Sequence, residues 1–313
     1  MKPMDTVNHN GIKNRQGLTE SEFLKQYNAG KYERPSVTVD LLIFTVTDEA
    51  RLNYRKLPEK KLKLLLIKRG DHPFLGQWAL PGGFVGINES VEEAAHRELR
   101  EETNIDQLYM EQLYTWGEVN RDPRTRVISC SYLALADSIA LNVKAGDDAV
   151  DARWFQVDYQ VNREQETLLP TGFIAEKLVT LKLADQAQQL TGIIRIVNTV
   201  EGRVSKVKRE VIEAPGIAFD HTKMIAYAIE RLRNKLEYTD IAFNLMPERF
   251  TLSQLQQVYE VILGKQLLPA AFRRKIANMV QETGDYTKAA GHRPSKLYRF
   301  NPKWRVMNKE SWE

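Results

Sequence analysis

"GGFVGINESVEEAAHRELREETNI", residues 82–105, opens on two glycines and carries six glutamates, Glu89, Glu92, Glu93, Glu98, Glu101 and Glu102. Gly82 and Gly83 follow Pro81, so the chain turns sharply after "QWAL" and its backbone can approach a ligand closely. From Ser90 onward the residues are good helix formers, and Glu98, Glu101 and Glu102 then lie at i, i+3 and i+4 on one face. Two like charges about 4 Å apart repel by roughly 4 kcal/mol at an effective dielectric near 20. Unless these carboxylates splay into water, they want a cation, and hard oxygen donors on a rigid helix suit Mg²⁺ or Mn²⁺. Arg97 is placed to pair with Glu89 and lock loop to helix. On the three glutamates alone, a solvated acidic helix face is the stronger reading; the ordered context changes that weighing.

Outward from this stretch, "PSVTVDLLIFTVT" (35–47) and "KLKLLLIKR" (61–69) read as strands of a largely buried sheet. "RVISCSYLALA" (126–136) and "ARWFQVD" (152–158) read as further strands, and a helix is expected at about 170–184. "IIRIVNTVEGRVSKVKREVIE" (193–213) sets Glu201-Gly202 between two alternating runs, a hairpin signal. From Asp220 the pattern turns helical. One amphipathic run begins at His221; a second begins with the capping box Thr251 to Gln254 and closes on Gly264; Pro269 opens a third that closes on Gly284. "HRPSKLYRFNP" reads as a turn leading into a strand.

The 313 residues suffice for two domains with sizeable cores. The single cysteine, Cys130, excludes an internal disulfide and any multi-cysteine zinc site, and its place in an alternating strand makes it a small core residue. No apolar run approaches the roughly 18 residues of a membrane span and the N-terminal residues are polar, so a cytoplasmic protein with no membrane partner is expected. The formal charge of +4 is uneven: residues 220–313 hold 16 Lys+Arg against 10 Asp+Glu. That excess suits an anionic polymer, or simply a solvated basic surface.

On a helix spanning 270–282, Phe272, Ile276, Met279 and Val280 share one face, while Arg274, Asn278 and Gln281 lie opposite, flanked by Arg273 and Lys275. Arg, Asn and Gln are the side chains that read base edges in a major groove, and flanking cations suit phosphates. With the preceding capped helix, whose first turn offers Thr251 and Ser253, and a wing carrying His292, Arg293 and Lys296, the arrangement looks like a winged helix-turn-helix. A plain basic helix is the other reading.

Gly83, five residues, Glu89, seven residues, Arg97-Glu98-Leu99, one residue, Glu101-Glu102, and Ile105 after two more resemble the Nudix box, with "GQWALPGG" as its lead-in. The departure is Asn104 where the family has glycine; asparagine also tolerates left-handed backbone. The resemblance implies an α/β fold, an α/β/α sandwich with a mixed sheet. It further implies that Glu98, Glu101 and Glu102 hold a divalent metal at a nucleoside diphosphate-linked substrate, with Glu101 and Glu102 in catalysis. Glu118 is a candidate general base. Arg121, Arg124 and Arg126 could clamp a pyrophosphate, with Arg69, Gly82 and Gly83 lining the site; Phe74 or Trp78 would stack a base or pack in the core.

A Nudix domain joined to such a basic module resembles the NrtR-type regulators of NAD metabolism. The stretches "RDPRTRVISCSY", "IAFDHTKMIAYAIERLR" and "RRKIANMV" with "GHRPSKLYRF" extend that resemblance over most of the chain. It implies a polar segment at 1–34, an effector domain at 35–215 and a winged helix-turn-helix at 216–313. The protein would be a homodimeric repressor that senses ADP-ribose or a related NAD metabolite and then releases double-stranded operator DNA. The alternative it leaves open is an active Nudix hydrolase cleaving ADP-ribose to AMP and ribose 5-phosphate.

Overall fold

The computed structural model describes residues 12–49, 58–103, 108–137, 149–287 and 294–305. The chain divides into two compact units, residues 1–35 and 36–313. The first holds one short helix, α1 (Glu20–Gln26), closed at its start by a reciprocal capping box between Thr19 and Glu22.

In the second unit the apolar runs form one mixed sheet. Strands β1 (Ser36–Glu49), β2 (Glu59–Arg69), β3 (Trp78–Ala79) and β4 (Gly82–Phe84) precede α2 (Val91–Thr103). Then come β5 (Tyr109–Trp116), β6 (Val127–Asp137), β7 (Ala149–Leu169), β8 (Gly172–Ala184), β9 (Gln189–Glu201) and β10 (Val204–Glu213). The order is β10-β9-β8-β7-β2-β1-β6-β5, with β3 beside β2 and β4 beside β1. β1 and β6 run parallel, whereas the neighbouring pairs are antiparallel. Leu41, Leu42, Ile43 and Phe44 are fully buried in succession. Such a continuous apolar run means both faces of β1 are covered.

The expected helix at 170–184 is instead β8. Val179, Leu181 and Leu183 are buried and the residues between them are less so, the period of two that belongs to a strand. Leu169 pairs with Gly172 across a two-residue turn, which folds the chain back on β7 before a helix can start. The hairpin at 193–213 forms, with Gly202 at φ 59° in its turn.

After β10 come α3 (His221–Lys235), a 3₁₀ turn (Ile241–Leu245), α4 (Leu252–Leu263), α5 (Pro269–Ile276), β11 (Val280–Tyr286) and β12 (Lys296–Phe300). Thr251 accepts the Gln254 amide, and Gly264 ends α4 in left-handed geometry. The third helix is shorter than its pattern suggested. It stops at Ile276, passes through one tighter turn and becomes extended at Val280, because β11 pairs with β12 and that pairing outweighs helical propensity. Asn278 therefore sits in a turn and Gln281 on a strand, off the helix that was to present them.

α3 is buried over most of its length, from His221 to Ala226 and at Ala228, Ile229 and Leu232. It joins the sheet to the C-terminal helices in a single apolar cluster that runs from Phe44, Leu64 and Phe155 through Ile229 to Ile262 and Phe272. The boundary expected at 215/216 thus falls at a change of architecture without a break in the core. Among the described residues no helix is long and apolar enough to cross a membrane.

Candidate functional site

The glycine-led loop and α2 meet as the sequence suggests. Ser90 and Glu93 cap α2 reciprocally. Arg97 binds Glu89 through Nε (3.1 Å) and Nη2 (2.8 Å), and the Gly86 amide donates to the same carboxylate. These bonds hold the Glu89 carboxyl down at about 2. Gly82 adopts φ 152°, and a Cβ there would overlap the Val39 carbonyl oxygen, so only glycine lets β4 lie this close to β1.

The three metal-ligand candidates do not converge. Glu98 is buried and accepts from Arg97 Nη1 at 2.7 Å; exposed Glu101 shares that nitrogen at 3.3 Å; Glu102 turns inward and is 7% exposed. Burial pushes the Glu98 carboxyl up, and Arg97 only partly offsets it. Among the described residues no three His, Cys, Asp or Glu side chains are grouped to hold a metal ion. The cation that Glu98 and Glu101 share is Arg97, Glu102 stands apart from them, and this arrangement does not fit a three-carboxylate centre.

What does converge is a cavity of about 210 Å³ beside β1 and β4. Arg69, Gly82, Gly83, Arg121 and Arg124, five of the residues expected to bind ligand, line it. Arg124 forks onto Asp122 (3.1 and 2.8 Å), with its guanidinium 5.4 Å from the Phe84 ring centroid. Arg69 lies 5.1 Å from the Phe219 ring centroid. Arg121 is almost fully enclosed, at 5% exposure, and binds Asp220 at 2.8 Å with Asp40 at 3.7 Å.

Other expected ligand residues stand elsewhere. Trp78 is a core residue, edge-on to Phe155. Phe74 packs behind Phe219, ring centroids 4.6 Å apart, and Arg126 is spent on the Gly117 and Glu118 carbonyls. Glu118, the candidate base, binds Lys223 at 2.7 Å and faces a separate, open groove of about 1490 Å³.

The cavity also contains residues the sequence reading missed: Asp40, Asp122, Phe84, Phe219 and His221. Asp40 carried a signal, as a charge inside an apolar strand. Ser129 donates to its Oδ2, and His221 Nε2 lies 3.5 Å from Oδ1. The Leu80 amide donates to His221 Nδ1 at 2.9 Å, so the ring's proton sits on Nε2, facing Asp40. Burial raises the Asp40 carboxyl, but His221, Arg121 and Ser129 together bring it below the ordinary value. A folded value below the unfolded one, about 3.9, means that ionised Asp40 contributes stability above that pH and loses it as pH falls through the folded value. Asp40→Asn is expected to flatten the acid limb of a stability–pH curve measured between about pH 2 and 5; an unchanged limb would contradict this.

In the C-terminal module, Arg273, Arg274 and Lys275 are exposed on α5 while Phe272 and Ile276 are buried. Ser253 and Asn278 are exposed too. Three other expected DNA contacts are engaged internally: Thr251 in its cap, Gln281 with Asn301 at 2.9 Å, and Lys296 with Glu282 at 2.9 Å. His292 and Arg293 lie outside the described residues.

Comparison with known proteins agrees with both halves. Residues 55–171 match the NUDIX domain model, and residues 242–300 match that of the NrtR DNA-binding winged helix domain. The ADPR responsive transcriptional repressor NtrR of Acinetobacter baylyi is 34% identical over 286 residues, covering 90% of this chain and 88% of that protein. The ADP-ribose pyrophosphatase of Methanocaldococcus jannaschii is 41% identical over 135 residues, 43% of this chain and 69% of the enzyme. The crystal structure of Shewanella oneidensis NrtR complexed with a 27mer DNA superposes with TM-score 0.53 at 29% identity, over 85% of this chain and 94% of that one. With a Nudix fold, a winged helix after it and a relative matched almost end to end, the chain belongs to the NrtR family of regulators.

Proposed function

We propose that the protein is a transcriptional repressor whose Nudix-like part, residues 35–215, binds ADP-ribose or a related NAD metabolite and whose C-terminal part, residues 216–313, binds operator DNA. The observation that carries this reading is the pairing of two sites in one core. The cavity at β1 and β4 holds Arg69, Arg121 and Arg124, suited to a diphosphate, and α5 exposes three consecutive cations, suited to a duplex. Within the DNA surface, Arg274 is assigned to a base edge, with Arg273, Lys275 and Ser253 on phosphates. A homodimer would match a two-fold operator.

Hydrolysis is the second reading, favoured by the ordered carboxylates of α2 and the match to a pyrophosphatase. Mg²⁺ or Mn²⁺ would be needed for that activity alone, and Glu98 and Glu101 would first have to leave Arg97 to join Glu102.

Binding to a duplex selected from a random pool tests the repressor reading. Phosphate neutralisation predicts that affinity falls linearly on a log–log plot against salt, with a slope of about −0.9 per phosphate contact. No binding to any duplex at low salt would overturn it. AMP release from ADP-ribose in the presence of Mn²⁺ would establish the second reading beside the first.

A further inference from the structure

One wall of the cavity is not part of the Nudix portion. Phe219 lies just before α3 and His221 is its first residue, and the segment 216–221 that they close is bonded to the sheet beside the glycine loop. The Trp78 amide donates to the Gly216 carbonyl (2.9 Å), the Ala218 amide donates to the Trp78 carbonyl (2.8 Å), and Leu80 donates to His221. Phe219 stands at φ 52°, a conformation a bulky side chain rarely adopts and one that stores strain.

The cavity's 210 Å³ is also below the roughly 300–1,000 Å³ of ordinary small-molecule sites. The cavity is partly open to solvent, and a nucleoside diphosphate seated on its arginines would press on its lining. On one side the wall is β1, held between β2 and β6. The rest is formed by β4, by the end of β2 and the loop after it with Arg69, Asp71 and His72, by the loop that carries Arg121, Asp122 and Arg124, and by Phe219 and His221 of the segment 216–221.

Charge selects the segment 216–221 among these. Arg121 lies between two carboxylates, and a diphosphate cannot share one buried guanidinium with both of them without strong repulsion. Asp40 is fixed on β1 by Ser129 of the neighbouring strand β6. Asp220 lies at the junction with α3; its side chain makes no capping bond to that helix, and Lys223, 3.6 Å away, is a second cation that keeps it paired when Arg121 is taken. The geometry points to a charge exchange: an entering nucleoside diphosphate takes Arg121 from Asp220, and the segment Gly216–His221 moves as that tether is lost. This rests on the effector reading given above and adds its mechanism.

The displacement has a path to the DNA-binding module. α3 is buried in the common core, and Arg233 near its end donates from Nε to the Ile262 carbonyl of α4 at 2.8 Å. A shift at the start of α3 therefore reaches the helix that precedes α5.

The test uses the full chain, calorimetry with ADP-ribose, and hydrogen exchange of peptides covering 216–224. Asp220→Asn removes the competing charge and should bind ADP-ribose about 5-fold more tightly or better, the lower end of ordinary coupling. Its 216–224 peptides should exchange faster without ligand, as those of the wild type do with ligand, while Asp220→Glu stays near wild type. The wild-type exchange measurement stands without any variant. Unchanged affinity in Asp220→Asn, or ligand that slows exchange at 216–224, overturns the charge exchange and leaves the sensor reading in place. No ADP-ribose binding by the wild type overturns the sensor reading, and this mechanism with it.

Discussion

Replacing Arg121 with alanine should lower the stability of the fold by about 3–5 kcal/mol, the cost of leaving buried carboxylates without their cation. Asp40 and Asp220 both face this guanidinium, and neither is exposed enough for water to replace it fully. The melting temperature should fall by roughly 10 °C, and most of the ADP-ribose affinity should go with it. Arg121→Lys retains the charge without the fork and should recover part of the stability and little of the binding. Acid should narrow the gap between variant and wild type, since protonation of Asp40 removes a buried charge that has lost its guanidinium. Denaturant unfolding at pH 7 and pH 4 checks this. A loss below about 1 kcal/mol, the range of an exposed ion pair, would mean that Arg121 is not the buried centre of the cavity.

The second large effect is expected at Arg274, exposed on α5. If it reads a base pair, Arg274→Ala should weaken binding to the selected duplex by about 1–3 kcal/mol while changing binding to random DNA little. Arg273→Ala should instead weaken both alike and reduce the salt slope by about 0.9, as removal of one phosphate contact does. Anisotropy titrations on both duplexes separate the two. Equal losses on selected and random DNA would reassign Arg274 to the phosphate backbone.

How much of this could be read beforehand depended on how local each feature is. The loop, the helix from Ser90 and the Arg97–Glu89 pair lie within about two dozen residues, and spacing alone places them. Long apolar runs such as β1 and β6 were equally plain. β8 was not, because "GFIAEKLVTLKLA" also suits a helix, and its strand character comes from pairing with β7 and β9. Gln281 failed for the same reason, since its partner strand β12 lies beyond a turn. In the site, Arg121 and Arg124 were recognisable as cations in a loop, but their partners were not. Asp220 stands 99 residues from Arg121 in the chain, and His221 stands 141 from Leu80, so only folding reveals that the entry to α3 lines the cavity.

The sensor account is tested most directly by a competition measurement: the selected duplex, fluorescently labelled and held by the full-length protein, titrated with ADP-ribose at fixed salt. The account predicts release of the DNA, and, by reciprocity, weaker ADP-ribose binding by the DNA-bound protein by the same factor. DNA that stays bound while calorimetry shows the cavity saturated with ADP-ribose would contradict it.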